Sequence, residues 1–196
     1  MANLTQKERE TVLLLFKDYT NFYNANSISK VLNISHVGAQ KIFKRLLQEN
    51  WIISKTIGKS ITYKINWNDA YVGQLVAFLL ADEANNFKRW KEEFKELFKK
   101  DRIVMLFGST IKDYAHARDI DLMLVIKQKD VKEINLILKK KEEILPKKIH
   151  AIKLTLKDLS DNLKKKDKAV VDIVKNAIIL CGQDRYVEII KNVTSF

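Results

Sequence analysis

Cysteine, proline and glycine are scarce in this 196-residue chain, which has one cysteine, one proline and five glycines. The lone cysteine, Cys181, excludes an intrachain disulfide bond and argues against a zinc-ligand cluster. Its apolar neighbours favour a small buried side chain over a nucleophile. No apolar run approaches the roughly 20 residues of a membrane span, and the polar segment Met1–Glu10 does not resemble a signal peptide. We therefore expect a soluble, cytoplasmic protein with no membrane partner.

Acidic side chains are fewer than basic ones. The chain has 24 aspartates and glutamates and 36 lysines and arginines, which gives a formal net charge of +12. Residues 1–66 hold ten basic and four acidic side chains, so half of the excess lies in one third of the chain. A positive surface attracts polyanions such as nucleic acids; a general lysine bias of the proteome is the alternative explanation. With 46% hydrophobic and 31% charged residues, the composition is that of a folded, helix-rich protein.

The first third of the chain has the pattern of three helices followed by a β-hairpin. Thr5 and Glu8 are spaced as a capping box at the start of the first helix, and Ser35 is placed to cap the third. Between the two extended runs, the residues Gly58 and Lys59 have the composition of a hairpin tip. The predicted helices span about 5–19, 27–32 and 35–50, and the predicted strands span 51–56 and 60–66.

The remainder of the chain combines helices with short apolar strands, which makes the fold class α+β with a mixed sheet in the C-terminal part. A helical stretch covers residues 69–100, with an interruption near 84–86. Its aromatic stripe at helical spacing is expected to pack in the core rather than to bind a partner: Phe87, Trp90, Phe94 and Phe98. The other predicted elements are strands at 103–107, 119–126 and 149–156 and helices at about 130–144, 157–166 and 169–176.

Residues 28–52, ISKVLNISHVGAQKIFKRLLQENWI, resemble the winged helix-turn-helix transcription regulators, with a short scaffold helix, a turn, a serine-capped recognition helix and an apolar strand. The resemblance covers about residues 4–66 and implies a domain that binds double-stranded DNA. Between Ser35 and Lys64 there are six basic residues and one acid, Glu49. This balance favours DNA binding over the alternative, a winged helix used only for contacts with protein.

The periodicity of the recognition helix assigns its two faces. Ala39, Phe43 and Leu46 are expected to face the core. Gln40 is expected to pair with an adenine edge in the major groove, whereas lysines and arginines contact phosphates, which position the protein without reading sequence. The residues predicted to contact DNA are Ser35, His36, Val37, Gln40, Lys41, Lys44 and Arg45, with Lys59 at the hairpin tip.

The motif with the sharpest spacing is LFGSTIKDYAHARDIDLMLVI, residues 106–126, in which Gly108 and Ser109 are followed after nine residues by Asp119 and Asp121. Side chains on a strand alternate in direction, so the two aspartates are predicted to project from one face. Two adjacent carboxylates are costly unless a cation lies between them. Mg²⁺ accepts one or two carboxylates together with water and phosphate oxygens, so the residues predict a magnesium site shared with a phosphate group.

The same motif resembles the signature of the polymerase-β nucleotidyltransferase superfamily, especially its minimal members, over about residues 92–193. The resemblance implies transfer of a nucleoside monophosphate from a magnesium-bound nucleoside triphosphate (NTP) to an acceptor hydroxyl. It assigns Asp119 and Asp121 to the metal and to catalysis. The alternative is that the two aspartates only form a turn at the start of a strand. The residues assigned to the nucleotide are Gly108, Ser109, Lys112 and Arg118.

One departure from the superfamily pattern bears on catalysis. Active members place a third carboxylate on the next strand, but Ile149–Leu154 has no acid. His150 is the polar residue there that is predicted to face the site and to act as a base. Two functions therefore stay open. The chain is either a DNA-binding nucleotidyltransferase, or a DNA-binding regulator whose degenerate transferase domain binds nucleotide or a partner protein.

The tail NAIILCG, residues 176–182, resembles minimal nucleotidyltransferases of toxin–antitoxin systems, some of which add AMP to a protein partner. A protein acceptor is therefore an alternative to a nucleic acid. A homodimer through the helix Tyr71–Leu80 is the assembly that the winged-helix resemblance suggests. The two resemblances divide the chain into a winged helix over 1–67, a helical connector over 68–100 and a nucleotidyltransferase-like α/β domain over 101–196.

Overall fold

The computed structural model describes residues 4–194 and confirms the predicted α+β class. The chain forms two compact units, one comprising residues 4–79 with Thr194 and the other comprising Leu80–Val193. The predicted domain boundaries at residues 67 and 100 stay predictions. Within the described range, no helix combines the length and the apolar character that a bilayer crossing requires.

The first unit consists of three helices, a two-stranded hairpin and the first part of a fourth helix. Side-chain oxygens of Thr5, Asn24 and Ser35 cap the first three helices by accepting hydrogen bonds from backbone N–H groups three residues later. The capping box of Thr5 and Glu8 is confirmed. The elements are α1 (Gln6–Lys17), α2 (Ala25–Val31), α3 (His36–Gln48), β1 (Ile52–Ile57), β2 (Ser60–Ile65) and α4 (Ala70–Asn85).

Aromatic packing joins the hairpin to the helices of the first unit. β1 and β2 pair antiparallel with Ile52 opposite Ile65, and both side chains are buried. Tyr63 stacks on Phe43 of α3 with ring centroids 3.8 Å apart, and the backbone of Tyr23 forms an antiparallel bridge to Tyr63. An isolated two-stranded hairpin is marginally stable, so these contacts stabilise the hairpin against the helices.

The second unit is built on a four-stranded mixed sheet. The elements are α5 (Lys88–Glu93), β3 (Ile103–Phe107), β4 (Ile120–Val125), α6 (Val131–Ile144), β5 (Ile149–Leu154), α7 (Leu156–Lys164), α8 (Lys168–Asn176), β6 (Ile178–Cys181) and α9 (Gln183–Thr194). The strand order in the sheet is β5-β4-β3-β6, in which β4 and β5 are parallel and β3 is antiparallel to both of its neighbours. Helix α6 provides the crossover that the parallel pair requires.

The core of the second unit lies around β4. Ile120, Leu122 and Leu124 are completely buried in one hydrophobic cluster with Trp90 and Phe94, which confirms the predicted core role of the aromatic stripe. On the other face of the strand, Met123 and Val125 are also buried, whereas Asp121 at the start of the strand is partly exposed. Burial on both faces is typical of a strand that is covered by helices on each side.

Several element bounds differ from the sequence prediction by one or two residues; for example, the strand predicted over 149–156 ends at Leu154. The strand predicted over 119–126 begins at Ile120, so Asp119 precedes it. The sequence does not predict β6, because a four-residue apolar run cannot be distinguished from the end of a buried helix by periodicity. Cys181 at the end of β6 is half-buried, and burial raises the pKa of its thiol, which fits the inert role predicted for it.

An ion pair between α1 and α3 generates a prediction about stability. Glu8 is 3% exposed, and its Oε1 lies 3.0 Å from Nη1 of Arg45. We expect Glu8→Gln to lower the free energy of unfolding by about 1–3 kcal/mol, because a nearly buried, charge-assisted pair is lost.

Glu10→Gln is the matched control, because Glu10 is partly exposed and pairs with Lys7 on the helix surface. We expect its free energy of unfolding to stay within about 0.5 kcal/mol of the wild type. Urea unfolding followed by circular dichroism measures both variants. Equal losses for the two glutamines would contradict the role given to Glu8.

Candidate functional site

The exposed face of α3 carries polar and basic side chains. Ala39, Phe43 and Leu46 are at most 1% exposed, so the predicted core face is confirmed. Oγ of Ser35 accepts a hydrogen bond from the N–H of Gly38 at 3.0 Å, which fixes the first turn of the helix. The predicted DNA-contacting residues that are exposed are Ser35, His36, Val37, Gln40, Lys41 and Lys44, with Lys59 exposed in the hairpin turn.

Arg45 differs from the other residues predicted to contact phosphates, because its side chain forms an ion pair with Glu8. Its guanidinium Nη1 lies 3.0 Å from Oε1 and 3.1 Å from Oε2 of Glu8, and 40% of its side chain is exposed. A guanidinium that is already paired with a carboxylate has fewer donors to offer to a phosphate. The pairing joins residues 37 positions apart, so no local sequence pattern indicates it.

The hairpin presents an apolar surface that the sequence analysis does not predict. Ile53, Ile57 and Ile61 are 47%, 43% and 54% exposed, and Lys59 lies between the last two in the chain. In a two-stranded hairpin one face packs on the helices while much of the other stays in solvent, so β-branched residues are not all buried.

The register of the sheet in the second unit brings three predicted site residues together. Phe107, the last residue of β3, pairs with Asp121 of β4, and Asp121 pairs with His150 of β5. Nδ1 of His150 lies 3.2 Å from Oδ1 of Asp121. Gly108 follows Phe107 directly. The end of β3 and the starts of β4 and β5 therefore form one edge on which Gly108, Asp121 and His150 are neighbours.

Gly108 leaves the space that the carboxylate of Asp121 occupies. Its φ is +78°, in the left-handed region that favours glycine. A Cβ built at this position would lie 2.1 Å from Oδ2 of Asp121. The side chain of Asp121 is 21% exposed, so it is accessible to a small ligand at this edge.

Asp119 lies in the bend before β4 and is exposed. Its backbone carbonyl accepts a hydrogen bond from Oγ1 of Thr110 at 2.7 Å. Because Asp119 is not part of the strand, strand alternation does not determine the direction of its side chain relative to Asp121. Strand alternation therefore does not support the prediction that Asp119 and Asp121 project from one face. The predicted nucleotide-binding residues Ser109, Lys112 and Arg118 are exposed.

The donor set limits the kind of metal site that these residues can form. Within residues 4–194, no group of three or more His, Cys, Asp or Glu side chains is arranged to hold a metal ion. β5 supplies His150 and no carboxylate. Two carboxylates, together with water and phosphate oxygens, form a ligand set that Mg²⁺ commonly takes. The described residues therefore do not fit an ion held by protein ligands alone, and a magnesium ion held jointly with a nucleotide stays a prediction.

The segment between Ser109 and Asp119 is ordered by side chains that sequence reasoning missed. The carboxylate of Asp113 is 2.7 Å from Nδ1 of His116 and accepts a hydrogen bond from the N–H of Ala115 at 3.0 Å. The hydrogen bonds from His116 are the main cause that lowers the pKa of Asp113. Lys147, in the bend that precedes β5, donates hydrogen bonds to backbone carbonyls of the same segment. No sequence pattern distinguishes Lys147 from the other lysines.

The chain matches no protein-family model and no curated protein. Among solved structures, a cysteine-to-serine mutant of Lactococcus lactis ZitR aligns over 73% of this chain and 76% of its own, with 14% sequence identity and a TM-score of 0.35. A similarity this low carries no conclusion about fold or function. The two family resemblances therefore rest on the motifs of the chain itself.

The close contact between Gly108 and Asp121 generates a prediction. Gly58 has a similar φ of +59°, but a Cβ there meets nothing within 4 Å. We expect Gly58→Ala to cost about 1 kcal/mol of stability from backbone strain alone. Gly108→Ala should cost more, because the new methyl group also displaces the carboxylate of Asp121 from His150.

Urea unfolding of both variants measures the stability, and NMR signals of the His150 ring report the contact. Equal costs for the two alanines, with unchanged His150 signals in Gly108→Ala, would contradict this description of the site.

Proposed function

We propose that the chain is a DNA-binding protein whose first unit inserts α3 into the major groove of duplex DNA. The observation that carries this proposal is the division of α3 into a buried face and an exposed face with Gln40, Lys41 and Lys44. The major groove admits an α-helix and presents base edges to it. The outer face of any surface helix is polar, but residues 35–48 hold three basic side chains and no acid, a balance that suits contact with phosphates.

The exposed residues of α3 have separate roles in this proposal. The amide of Gln40 pairs with an adenine edge, and Val37, an apolar side chain that is 59% exposed, contacts a thymine methyl group. Lys41 and Lys44 bind phosphates and set the position of the helix. The hairpin acts as the wing, with Lys59 reaching a phosphate or the minor groove.

Salt dependence tests the phosphate contacts. We expect the logarithm of the association constant for a fluorescent DNA duplex to fall linearly with the logarithm of the salt concentration. The double variant Lys41→Gln, Lys44→Gln should bind more weakly, with a slope smaller in magnitude by about 0.9 for each lost phosphate contact, because fewer counterions are released. Fluorescence anisotropy at a series of salt concentrations measures both quantities.

The matched control is Lys139→Gln, Lys140→Gln, which removes the same charge from exposed positions on α6. It should leave the slope within error of the wild type. If the control lowers the slope as much as the α3 variant, net charge rather than α3 explains the binding. No binding by the wild type at low salt would overturn the proposed function.

A second proposed function is the binding of a magnesium–nucleotide complex by the second unit, and a separate observation supports it. The observation in its favour is the edge at which Gly108 lies beside the partly exposed carboxylate of Asp121. Asp119 and Asp121 would hold the ion, and the exposed cations Lys112 and Arg118 would bind phosphates. The ion would neutralise phosphate charge and activate an acceptor hydroxyl.

The second function takes one of two forms, an NMP transferase or a nucleotide-binding regulator. His150 pairs with Asp121 on β5, and it is the polar candidate on the strand that carries a third acid in active members of the resembled superfamily. An imidazole can accept the proton of the acceptor hydroxyl, which supports the transferase form.

The acceptor, a protein or a nucleic acid, stays a prediction. So does the homodimer through the helix Tyr71–Leu80, for which the exposed Tyr71 and Phe78 are the support.

The two forms are separated by comparing binding with turnover. We expect the wild type to bind at least one of the four NTPs in the presence of Mg²⁺, and we expect Asp119→Asn, Asp121→Asn to lose this binding because the ion loses both carboxylates. Isothermal titration calorimetry measures the binding, and transfer of label from each α-labelled NTP measures turnover. The control Asp161→Asn, Asp172→Asn neutralises two exposed acids of the same unit.

Label transfer by the wild type that is lost in Asp119→Asn, Asp121→Asn supports the transferase. Magnesium-dependent binding without transfer supports the regulator. If the control variant loses binding to the same extent, or if the wild type binds none of the four nucleotides, the second function is overturned while the DNA-binding proposal is unaffected.

A further inference from the structure

One lysine binds three backbone carbonyl groups within a stretch of four residues that precedes Asp119. Nζ of Lys147 donates hydrogen bonds to the backbone carbonyls of Tyr114, Ala115 and Ala117. The same ammonium lies 4.5 Å from the centroid of the Tyr114 ring. An ammonium group has three donors and no acceptor, so these three carbonyls use its full hydrogen-bonding capacity.

The segment that Lys147 binds has no regular secondary structure to hold it. Residues 112–119 form turns and bends between a single 3-10 turn and β4. The guanidinium of Arg89 lies 4.2 Å from the centroid of the Tyr114 ring, so a second cation contacts the ring. Cation–π contacts of this kind contribute about 0.5–1 kcal/mol at exposed sites. The ammonium of Lys147 thus holds the backbone of this segment from outside it, in addition to the hydrogen bonds that Asp113 accepts within it.

Hydrogen bonds also hold the backbone at Asp119 and at the residue that follows it. The carbonyl of Asp119 accepts from Thr110 Oγ1 at 2.7 Å, and the N–H of Ile120 donates to the carbonyl of Lys148 at 2.9 Å. Lys147 and Lys148 therefore hold both the segment before Asp119 and the peptide group after it. The side chains of Arg118 and Asp119 are exposed, and these contacts act on the backbone of Asp119 and of the residues on either side of it.

We propose that Lys147 is a positioning residue of the candidate nucleotide site, where it fixes the backbone that carries Arg118 and Asp119 toward the phosphates of a magnesium-bound nucleotide. This inference rests on the proposed nucleotide binding of the second unit. Lys147 acts through its three carbonyl partners and makes no contact with the ligand. Without its charge, three carbonyl groups lose their donor and the segment samples other conformations. The nucleotide must then order the segment as it binds, which lowers the affinity.

The test compares three variants of the full chain. Lys147→Met keeps an unbranched stem but has no donor, and Lys147→Arg keeps the positive charge and several donors. Lys148→Met is the matched control, because it removes the same charge from the neighbouring exposed residue and leaves the backbone carbonyl of Lys148 in place. Isothermal titration calorimetry with ATP, GTP, CTP and UTP, each with Mg²⁺, measures the affinity. Amide hydrogen exchange of residues 114–119 measures the order of the segment.

We expect Lys147→Met to weaken binding of the preferred nucleotide by about tenfold or more, the loss typical for residues that support a metal site from outside it. Its amides in residues 114–119 should exchange faster, while the exchange of β4 is unchanged. Lys147→Arg should restore most of the affinity, and Lys148→Met should match the wild type. If Lys147→Met does not fold, Lys147→Gln and Lys148→Gln replace the pair of methionine variants, with the same expectation.

Faster exchange with unchanged affinity would overturn the inference, because Lys147 would then be structural only. A loss of affinity in Lys148→Met equal to that in Lys147→Met would also overturn it, since net charge would explain both. Absence of nucleotide binding by the wild type would overturn the nucleotide site itself together with this inference. That outcome is visible before any variant is made.

Discussion

The pairing of β4 with β3 on one side and with β5 on the other is the constraint on which the candidate nucleotide site depends. This register places the end of β3 and the starts of β4 and β5 at one edge of the sheet. It makes Gly108, Asp121 and His150 neighbours, although they are far apart in the chain. The buried side chains of β4 hold the register, because a shift of one residue would turn Leu122 and Leu124 away from their core cluster and turn Asp121 toward it.

The sequence predicted the features of the fold that local interactions determine. The cap at Thr5, the buried spacing of Ala39, Phe43 and Leu46, and the break in the helical stretch after Asn85 each depend on residues within one or two turns. Hydrophobic periodicity is a signal of this local kind. It therefore gave the order and the type of most elements, and it placed the ends of β3 correctly.

The features that the sequence did not predict are long-range contacts between residues of ordinary type. Arg45 has the position of a phosphate contact on α3, and only the fold brings it to Glu8. In the sequence Lys147 looks like any exposed lysine, and only the fold brings its ammonium group to the backbone carbonyls of Tyr114 and Ala115. Asp119 was assigned to β4 by alternation, whereas the strand begins one residue later. In each case the outcome depends on packing between distant segments, which a pattern of neighbours does not contain.

The absence of a side chain at Gly108 has a consequence for how this chain can change in evolution. An L-residue at this position is disfavoured by the backbone, and it also collides with the carboxylate of Asp121. Substitutions at 108 and 121 are therefore not independent of each other. A descendant that keeps the aspartate must keep the glycine. In one that loses the aspartate, the steric constraint on position 108 is removed, and only the constraint from the backbone conformation remains. The two positions should vary together across related chains, as a physically linked pair.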